Sequence, residues 1–313
     1  MTQLTTNTRA FIEAEQYSSF ILTNMHDGLM PASWYRDVSD FGSGETLNIK
    51  TIGTTTLQDI SEDTPIVYNP IETGNVQLQI QNFKGDGWSV SDTLREDGAQ
   101  IDQLMAARSQ ESTRAFQEEF ETNFFKVCND SQLDGDDNLV NKFAHRIAST
   151  ATDEVAILKY FIDMKIAFDK AQVPYGGRVC AVDPLVGATL DQLVSITHDV
   201  TPFGEKILEQ GFDRDHQFLM NLYGWNIITS NRLDKGDFSD GTTTIVDSVA
   251  NVFMNILDDN TKPIMAAFRR MPKVEGERNK DLDRDEFVVR SRYGLGPQRE
   301  DTLGILITSA INY

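Results

Sequence analysis

At 313 residues and 40% hydrophobic content, the chain can hold one large domain or two medium ones with real cores. Asp and Glu total 48 against 28 Lys and Arg, a net charge of -20, which argues against a partner bound mainly through phosphates, because neutralising them drives that binding. Such acidity favours solubility and a surface that lies near DNA without adhering to it.

The N-terminus, MTQLTTNTRAFIEAEQ, has neither the basic nor the apolar region of a secretion signal. Phe11, Ile12, Tyr17, Phe20 and Ile21 fall at helical spacing, so residues 9–25 predict a short amphipathic helix. Residues 26–44, with Pro31, Trp34 and three glycines, read as an irregular arm rather than a domain. The period then changes to two: Leu47, Ile49 and Thr51, and later Val76, Leu78 and Ile80, alternate with their neighbours and predict two half-buried strands. Their connection, 53–75, is too long for a hairpin turn and carries Asp59, Glu62, Asp63, Tyr68 and Glu72 but no Lys or Arg. A two-stranded finger is marginal alone, so it must lie on another element, and the helix that follows or a neighbouring copy is the expected support.

That helix is Ala99 to Cys128, thirty residues without Gly or Pro and roughly 45 Å long. Its apolar face turns midway: Ile101, Leu104 and Met105 lie on one side, whereas Phe116, Phe120, Phe124 and Val127 centre about 100° further round. Ala107, Ser109, Ser112 and Ala115 separate the halves, so the helix is no heptad coiled coil, and each half should face a different partner. Asn129 to Asn141 is an acidic loop near calcium-loop spacing, but Gln132 stands at the third position and Asn141 where a bidentate Glu is needed, so a solvated loop is expected.

Thr152 should cap a second helix with Val155, Leu158, Ile162 and Ile166 as its apolar face. VPYGGRVCAVDP, Val173 to Pro184, predicts a Gly-Gly turn, a buried strand from Arg178 to Val182 and a stop. A helix from Leu185 to Ile196 follows, then the turn and strand of LYGWNIITSNRL, then the mixed apolar stretch Gly241 to Leu257. Pro272 to Glu286 is charged and reads as loop. FVVRSRY and TLGILITSAI read as closing strands around the turn GLGPQRED, and a C-terminus this apolar should be tucked into a sheet. Strands mixed with helices give an α+β or mixed α/β body.

No catalytic constellation emerges. His26, His145, His198 and His216 are scattered without metal-ligand spacing, and no nucleophile elbow, Walker loop or dinucleotide fingerprint is present. Asp213, Asp215 and His216 lie in a polar loop that offers no catalytic setting. Cys128 and Cys180 read as buried free thiols, and no run of eighteen apolar residues could cross a membrane. The inventory suits mechanical work without cofactor or metal.

The order of arm, finger, long helix, α/β body and closing strand resembles the major capsid proteins of tailed double-stranded DNA bacteriophages. Three local patterns carry the resemblance: VPYGGRVCAVDP with Pro174, Gly177, Arg178 and Pro184; LYGWNIITSNRL with Gly224 and Asn231; and RYGLGPQREDTLGILITSAIN with Tyr293 and Gly294. It implies an α+β fold with an N-terminal arm (1–44), an E-loop (45–90) lying across a neighbouring subunit, and a peripheral domain (91–149) with spine helix 99–128. An axial domain (150–285) and returning strands of the peripheral domain (286–313) complete it. On that resemblance, Asp59, Glu62, Asp63, Tyr68 and Glu72 contact neighbours, while Ile101, Leu104, Phe116, Phe120 and Phe124 pack the spine. The implied function is a shell subunit, not an enzyme, that forms pentamers and hexamers of itself around double-stranded DNA in a virion assembled in the host cytoplasm. A scaffolding protein, a portal and a cement protein are implied partners, without a membrane or specific DNA binding. Relatives that cross-link their shells use a loop lysine; residues 53–75 have none, so the seams are expected to be non-covalent. An encapsulin-type compartment is the alternative on the same fold, and an acidic calcium-binding protein or hydrolase the alternative outside it.

Overall fold

The computed structural model describes residues 30, 32–40, 44–52, 57–59, 68, 70–71, 73–97, 101–130, 145–149, 154–197 and 218–309. In chain order the strands and helices are β1 (Arg36–Asp37), β2 (Thr46–Ile52), β3 (Thr73–Gln79), β4 (Asn82–Ser91), α1 (Asp92–Asp97), α2 (Ile101–Asp130), β5 (Arg146–Ser149) and α3 (Glu154–Lys170). They continue with β6 (Arg178–Val182), α4 (Pro184–Thr197), β7 (Phe218–Leu222), β8 (Trp225–Thr229), β9 (Lys235–Ser239) and β10 (Thr244–Asn255). The last are β11 (Ile264–Asn279), β12 (Arg284–Pro297) and β13 (Leu303–Ser309). The described chain forms two compact units, one from Asp86–Ala115 and Lys273–Val289, the other from the remainder.

In the larger unit the main sheet has the order β5-β13-β10-β6-β8-β7, with β9 also paired to β10. Alternation sorts its side chains onto two faces. Val252 and Met254 of β10, Ile305 and Ile307 of β13, and Val179 and Ala181 of β6 share a core with Phe124, Phe125 and Cys128 of α2. Phe253, Leu306, Cys180 and Val182 point the other way into a core with Phe161, Met164 and Phe168 of α3 and Leu190 of α4. Because both faces are covered, these strands read in sequence as continuous apolar runs. This is why Gly241 to Leu257, expected to be mixed, forms a twelve-residue strand over most of its length.

The buried stripe of α3 is Ile157, Phe161, Met164 and Phe168, not the expected one. Leu158 is half-buried and Ile162 and Ile166 are exposed. Two apolar stripes compete on this helix, and the aromatic one removes more area from water. Thr152 and the side chain of Val155 lie outside the described residues.

The strand expected at Arg178 to Val182 is present and wholly buried. Gly177, at φ 70°, makes the turn before it. Tyr223 and Gly224 both have positive φ, 52° and 88°, and join β7 to β8 through Leu222↔Trp225, the two-residue hairpin whose twist matches its strands. The C-terminal strand β13 is interior, between β10 and β5. The expected boundary at 285/286 therefore falls within β12, and β13 joins the sheet of residues 146–255 rather than a separate returning set.

A second sheet has the order β1-β11-β12-β4. Its strands β11 and β12 overturn the expectation of a loop from Pro272 to Glu286: this charged stretch is the outer part of a hairpin of long strands. Period-two apolarity is lost there because the side chains are mostly solvated, so composition imitates a loop. Gly294, expected in a turn, lies within β12, where a Cβ would come 2.4 Å from the Gln79 carbonyl oxygen and 3.0 Å from Ile80 Cα. Glycine is required by this approach of the finger's root.

The finger is β2 paired antiparallel to β3, from Thr46↔Gln79 to Ile52↔Thr73. Its root is held by its own chain: Leu78 and Ile80 are buried with Met265 and Ala267 of β11, and Val38, Leu47, Ile49 and Val76 pack around them. Burying two such side chains contributes about 3–6 kcal/mol. The root's support is thus β11, not the long helix or a neighbour. Residues 32–38, expected in a loose arm, are also fixed. Trp34 is buried in the main core and β1 pairs with β11 at Arg36↔Met265.

In the smaller unit, Trp88 of β4 stacks on Phe287 of β12 at 5.8 Å and 13°, and Arg108 of α2 caps Trp88 at 5.5 Å while bonding both oxygens of Asp86. Arg278 holds Asp92 through two hydrogen bonds of 2.9 and 2.6 Å, which keep that carboxyl below its ordinary value.

Candidate assembly surfaces

The long helix is described from Ile101 to Asp130, and its apolar face does change midway. Ile101 and Met105, with Trp88 and Phe287, line a cleft of about 340 Å³ in the smaller unit. From Phe116 onward the helix belongs to the larger unit. Phe116 is buried there and Phe124 fully so. Phe120 is half-buried and meets Tyr35, Phe268 and Tyr293 with ring centroids 5.3, 5.2 and 5.2 Å away. Leu104 departs from the expected packing set. It is 51% exposed, because the face that Ile101 and Met105 share at i and i+4 leaves a residue 100° away from Met105 pointing outward.

The three sequence patterns mark internal joints. The Pro174 carbonyl accepts from Arg178 Nε at 3.0 Å and from Asn255 Nδ2 at 2.8 Å. Arg178, with its side chain only 1% exposed, also donates to Asp169 and the Val173 carbonyl, both at 2.8 Å, so its charge is paired where burial would otherwise penalise it. Pro184 opens α4 at a position where its missing N–H costs nothing, and the Asp183 carboxylate accepts from Leu185 N at 3.1 Å as the cap. Asn231 is exposed and accepts from Lys235 Nζ at 3.2 Å. Tyr293 accepts from Asn123 Nδ2 at 2.7 Å, and burial raises its phenol pKa.

Glu121 was not foreseen. It is 3% exposed, accepts from Met30 N at 3.3 Å and Ser230 Oγ at 3.2 Å, and lies 3.6 Å from Arg232. Burial raises its carboxyl pKa despite these partners. In the sequence it sits in the polar run QEEFET, which carries no sign of burial. Asn251 is likewise buried, donating to the Leu306 carbonyl and to Thr308 Oγ1, each at 2.9 Å. Cys128 and Cys180 are buried and free, and burial holds both thiols well above their ordinary value, which makes them poor nucleophiles.

The connection between the finger's strands carries three strongly exposed apolar side chains. Leu57 is 98%, Tyr68 93% and Ile71 78% exposed, and Asp59 is exposed as well. Large apolar side chains left in solvent on one connection mark a candidate contact surface. Glu62, Asp63 and Glu72 lie outside the described residues, as do the 9–25 helix, most of the 129–141 loop and Asp213 to His216. Among the described residues no group of three or more His, Cys, Asp or Glu is placed to hold a metal ion, and no helix is long and apolar enough to cross a membrane.

A family model described as phage capsid protein matches residues 75–308. The chain belongs to that family. It is a structural subunit of a phage capsid, with an α+β capsid fold. No curated protein matches it significantly. Among solved structures, the capsid structure of cyanophage P-SCSP1u is similar at TM-score 0.71 and 15% identity, over 98% of this chain and 94% of that one. A chain of Mycobacterium phage Che8 is similar at TM-score 0.71 and 17% identity, over 95% and 97%. The capsid asymmetric unit of cyanophage Pam1 is similar at TM-score 0.68 and 15% identity, over 96% and 98%.

Proposed function

We propose that this capsid subunit assembles through pentamers and hexamers into an icosahedral shell around double-stranded DNA and performs no catalysis. The observation that carries the assembly reading is the finger: a two-stranded ribbon whose root is buried on its own sheet while Leu57, Tyr68 and Ile71 stand in solvent. Apolar side chains so placed are accounted for when another copy covers them, and head-to-tail contacts of this kind close into rings. On this reading the finger is the E-loop, α2 the spine helix, the β1-β11-β12-β4 sheet the peripheral domain and the β5-to-β7 sheet the axial domain. The C-terminal strand then belongs with the axial sheet. Residues 1–44 are the N-terminal arm, anchored to the body where Trp34 enters the main core and β1 joins the peripheral sheet. A scaffolding protein, a portal and a cement protein are the expected partners, and assembly takes place in the host cytoplasm.

Negative-stain microscopy of the purified chain at assembly concentration tests the reading: closed particles of uniform size are expected, with nucleic acid rather than an enzyme as the cargo in particles from the native source. Boiling in detergent should release single 35.2 kDa chains, since residues 53–75 offer no lysine for a cross-link. A chain that stays monomeric under every assembly condition would overturn the shell, and a ladder of covalent multimers would overturn the non-covalent seam.

A further inference from the structure

We propose that β5 is an acid-released clasp: when the buried imidazole of His145 takes up a proton, the strand leaves the edge of the main sheet and unfastens the last turn of α2. The clasp lies within one subunit and does not depend on assembly.

Alternation sorts the residues of β5 onto two faces, as in the strands beside it. His145 meets the Phe168 ring of α3 edge-on, with centroids 5.5 Å apart, and Ile147 packs into the same core. Arg146 and Ala148 face the other way, toward α2. Only Arg146–Ser149 pair with β13, opposite Ile305 to Thr308, and β5 stands last in the sheet order. Its outer flank is held by the turn between β9 and β10: Arg146 Nε donates to the Ser239 carbonyl at 2.7 Å, and Ala148 N to Asp240 Oδ2 at 3.1 Å. Arg146, 6% exposed, also donates from Nη1 to the Asn129 carbonyl at 3.3 Å. That carbonyl lies in the last turn of α2, where the helix leaves its own acceptors unpaired. One short strand therefore ties the end of the long helix to the sheet.

His145 is the weak point of the tie. It is 1% exposed, and its face of the sheet is packed with Phe161, Met164 and Phe168 of α3 and Leu306 of β13, all uncharged. The turn before β13 carries Glu300 and Asp301, and Asp301 draws a proton toward the ring. Burial outweighs this attraction and holds the imidazole below its ordinary value of 6.5. Between 6.5 and that lower value, the opened strand binds a proton that the closed one refuses, so the closed state loses stability as pH falls through this window. An edge strand of four residues opens at far lower cost than the whole domain, so the loss appears there first. Asp240 does not change in the same window: burial raises its carboxyl, but the N–H groups of Thr243, Thr242 and Ala148 outweigh burial and keep it below its ordinary 3.8.

Amide hydrogen exchange of the full chain, read by mass spectrometry as protection factors, tests the clasp. Over residues 145–149, protection should be about five- to thirtyfold lower at about pH 5 than at about pH 7.5, while β6 keeps its protection. His145→Gln should remove the difference. Asp301→Asn, which takes away the attraction for the proton, should widen it. Release of α2 is read at Cys128, a buried thiol next to Asn129. At about pH 5, dithiodipyridine should label it roughly fivefold faster in the wild type than in His145→Gln, with buried Cys180 of β6 as the reference. Equal protection at the two pH values in the wild type, a pH dependence that survives His145→Gln, or an Asp301→Asn chain with an unaltered response would each overturn the proposal. So would loss of protection in β6 together with β5, which would be global unfolding. Equal labelling of Cys128 in the two chains would overturn the link to α2.

Discussion

Replacing Phe120 by Asp tests whether the second half of the long helix is placed correctly. Its ring is enclosed by Tyr35, Phe268 and Tyr293, with the Tyr35 and Tyr293 contacts edge-on at 68° and 67°. Truncating a packed Phe costs about 3–5 kcal/mol, and the low end applies because Phe120 retains some exposure. A carboxylate in its place adds about 1–3 kcal/mol for a polar group facing aromatic rings without a partner. The sum, about 4–6 kcal/mol, is a large part of the ~5–15 kcal/mol that holds a typical domain together. Urea unfolding of the unassembled chain followed by tryptophan fluorescence reads the loss, since Trp34 lies in the adjoining core. With a slope of about 2–3 kcal/mol per molar, the midpoint should fall by about 2 M, and Phe120→Leu should lose less than about 1 M. An Asp variant that unfolds at the wild-type urea concentration and assembles normally would refute the placement of this face.

Gly294→Ala places a methyl 2.4 Å from the Gln79 carbonyl oxygen, and because the obstacle is backbone the finger's root must shift; a loss of about 3 kcal/mol and poorer particle yield are expected, and an unchanged urea midpoint would sink the argument. Glu121 makes a pH prediction. Its folded pKa lies above the unfolded 4.5, so the folded state binds the extra proton between the two values, and stability contributed at this site falls as pH rises through that window. Glu121→Gln keeps an acceptor for Met30 N and leaves Arg232 paired with Glu118 at 3.1 Å; relative to wild type it should gain stability from pH 4.5 to 8, and a variant that loses ground over that range would show the carboxylate to be net stabilising.

Where one physical signal dominated, the sequence was legible. The strand pair of the finger, the strand from Arg178 to Val182 and the long helix each follow one backbone repeat, of two or of 3.6 residues, and each is present within three residues of its expected bounds. Where two signals competed, it was not. On α3 the aliphatic stripe of Ile162 and Ile166 was as regular as the aromatic one, and only the sheet beneath decides between them. In β11 and β12 the charges concealed a hairpin, because a solvated strand does not need apolar alternation once its partners are fixed. Gly294 read as a turn because glycine serves turns and close approaches alike; the finger root that crosses it comes from more than 200 residues earlier, beyond any local pattern. Glu121 was invisible for the same reason: its burial is imposed by Met30, Ser230 and Arg232, none of which is near it in sequence.

The helix shows how far a local irregularity can be trusted. A rod serving one core would keep one apolar stripe, drifting only slowly along its length. Here the stripe turns by about 100° across Ala107 to Ala115, and the boundary between the two compact units falls at Ala115 and Phe116. Leu104 shows the limit of the inference: the turn of the stripe located two partners, but only the packing of Ile101 and Met105 beside Trp88 decides which apolar side chain of the first half is left outside. An abrupt rotation of the apolar face within an unbroken helix is therefore a signal of two separate packing surfaces.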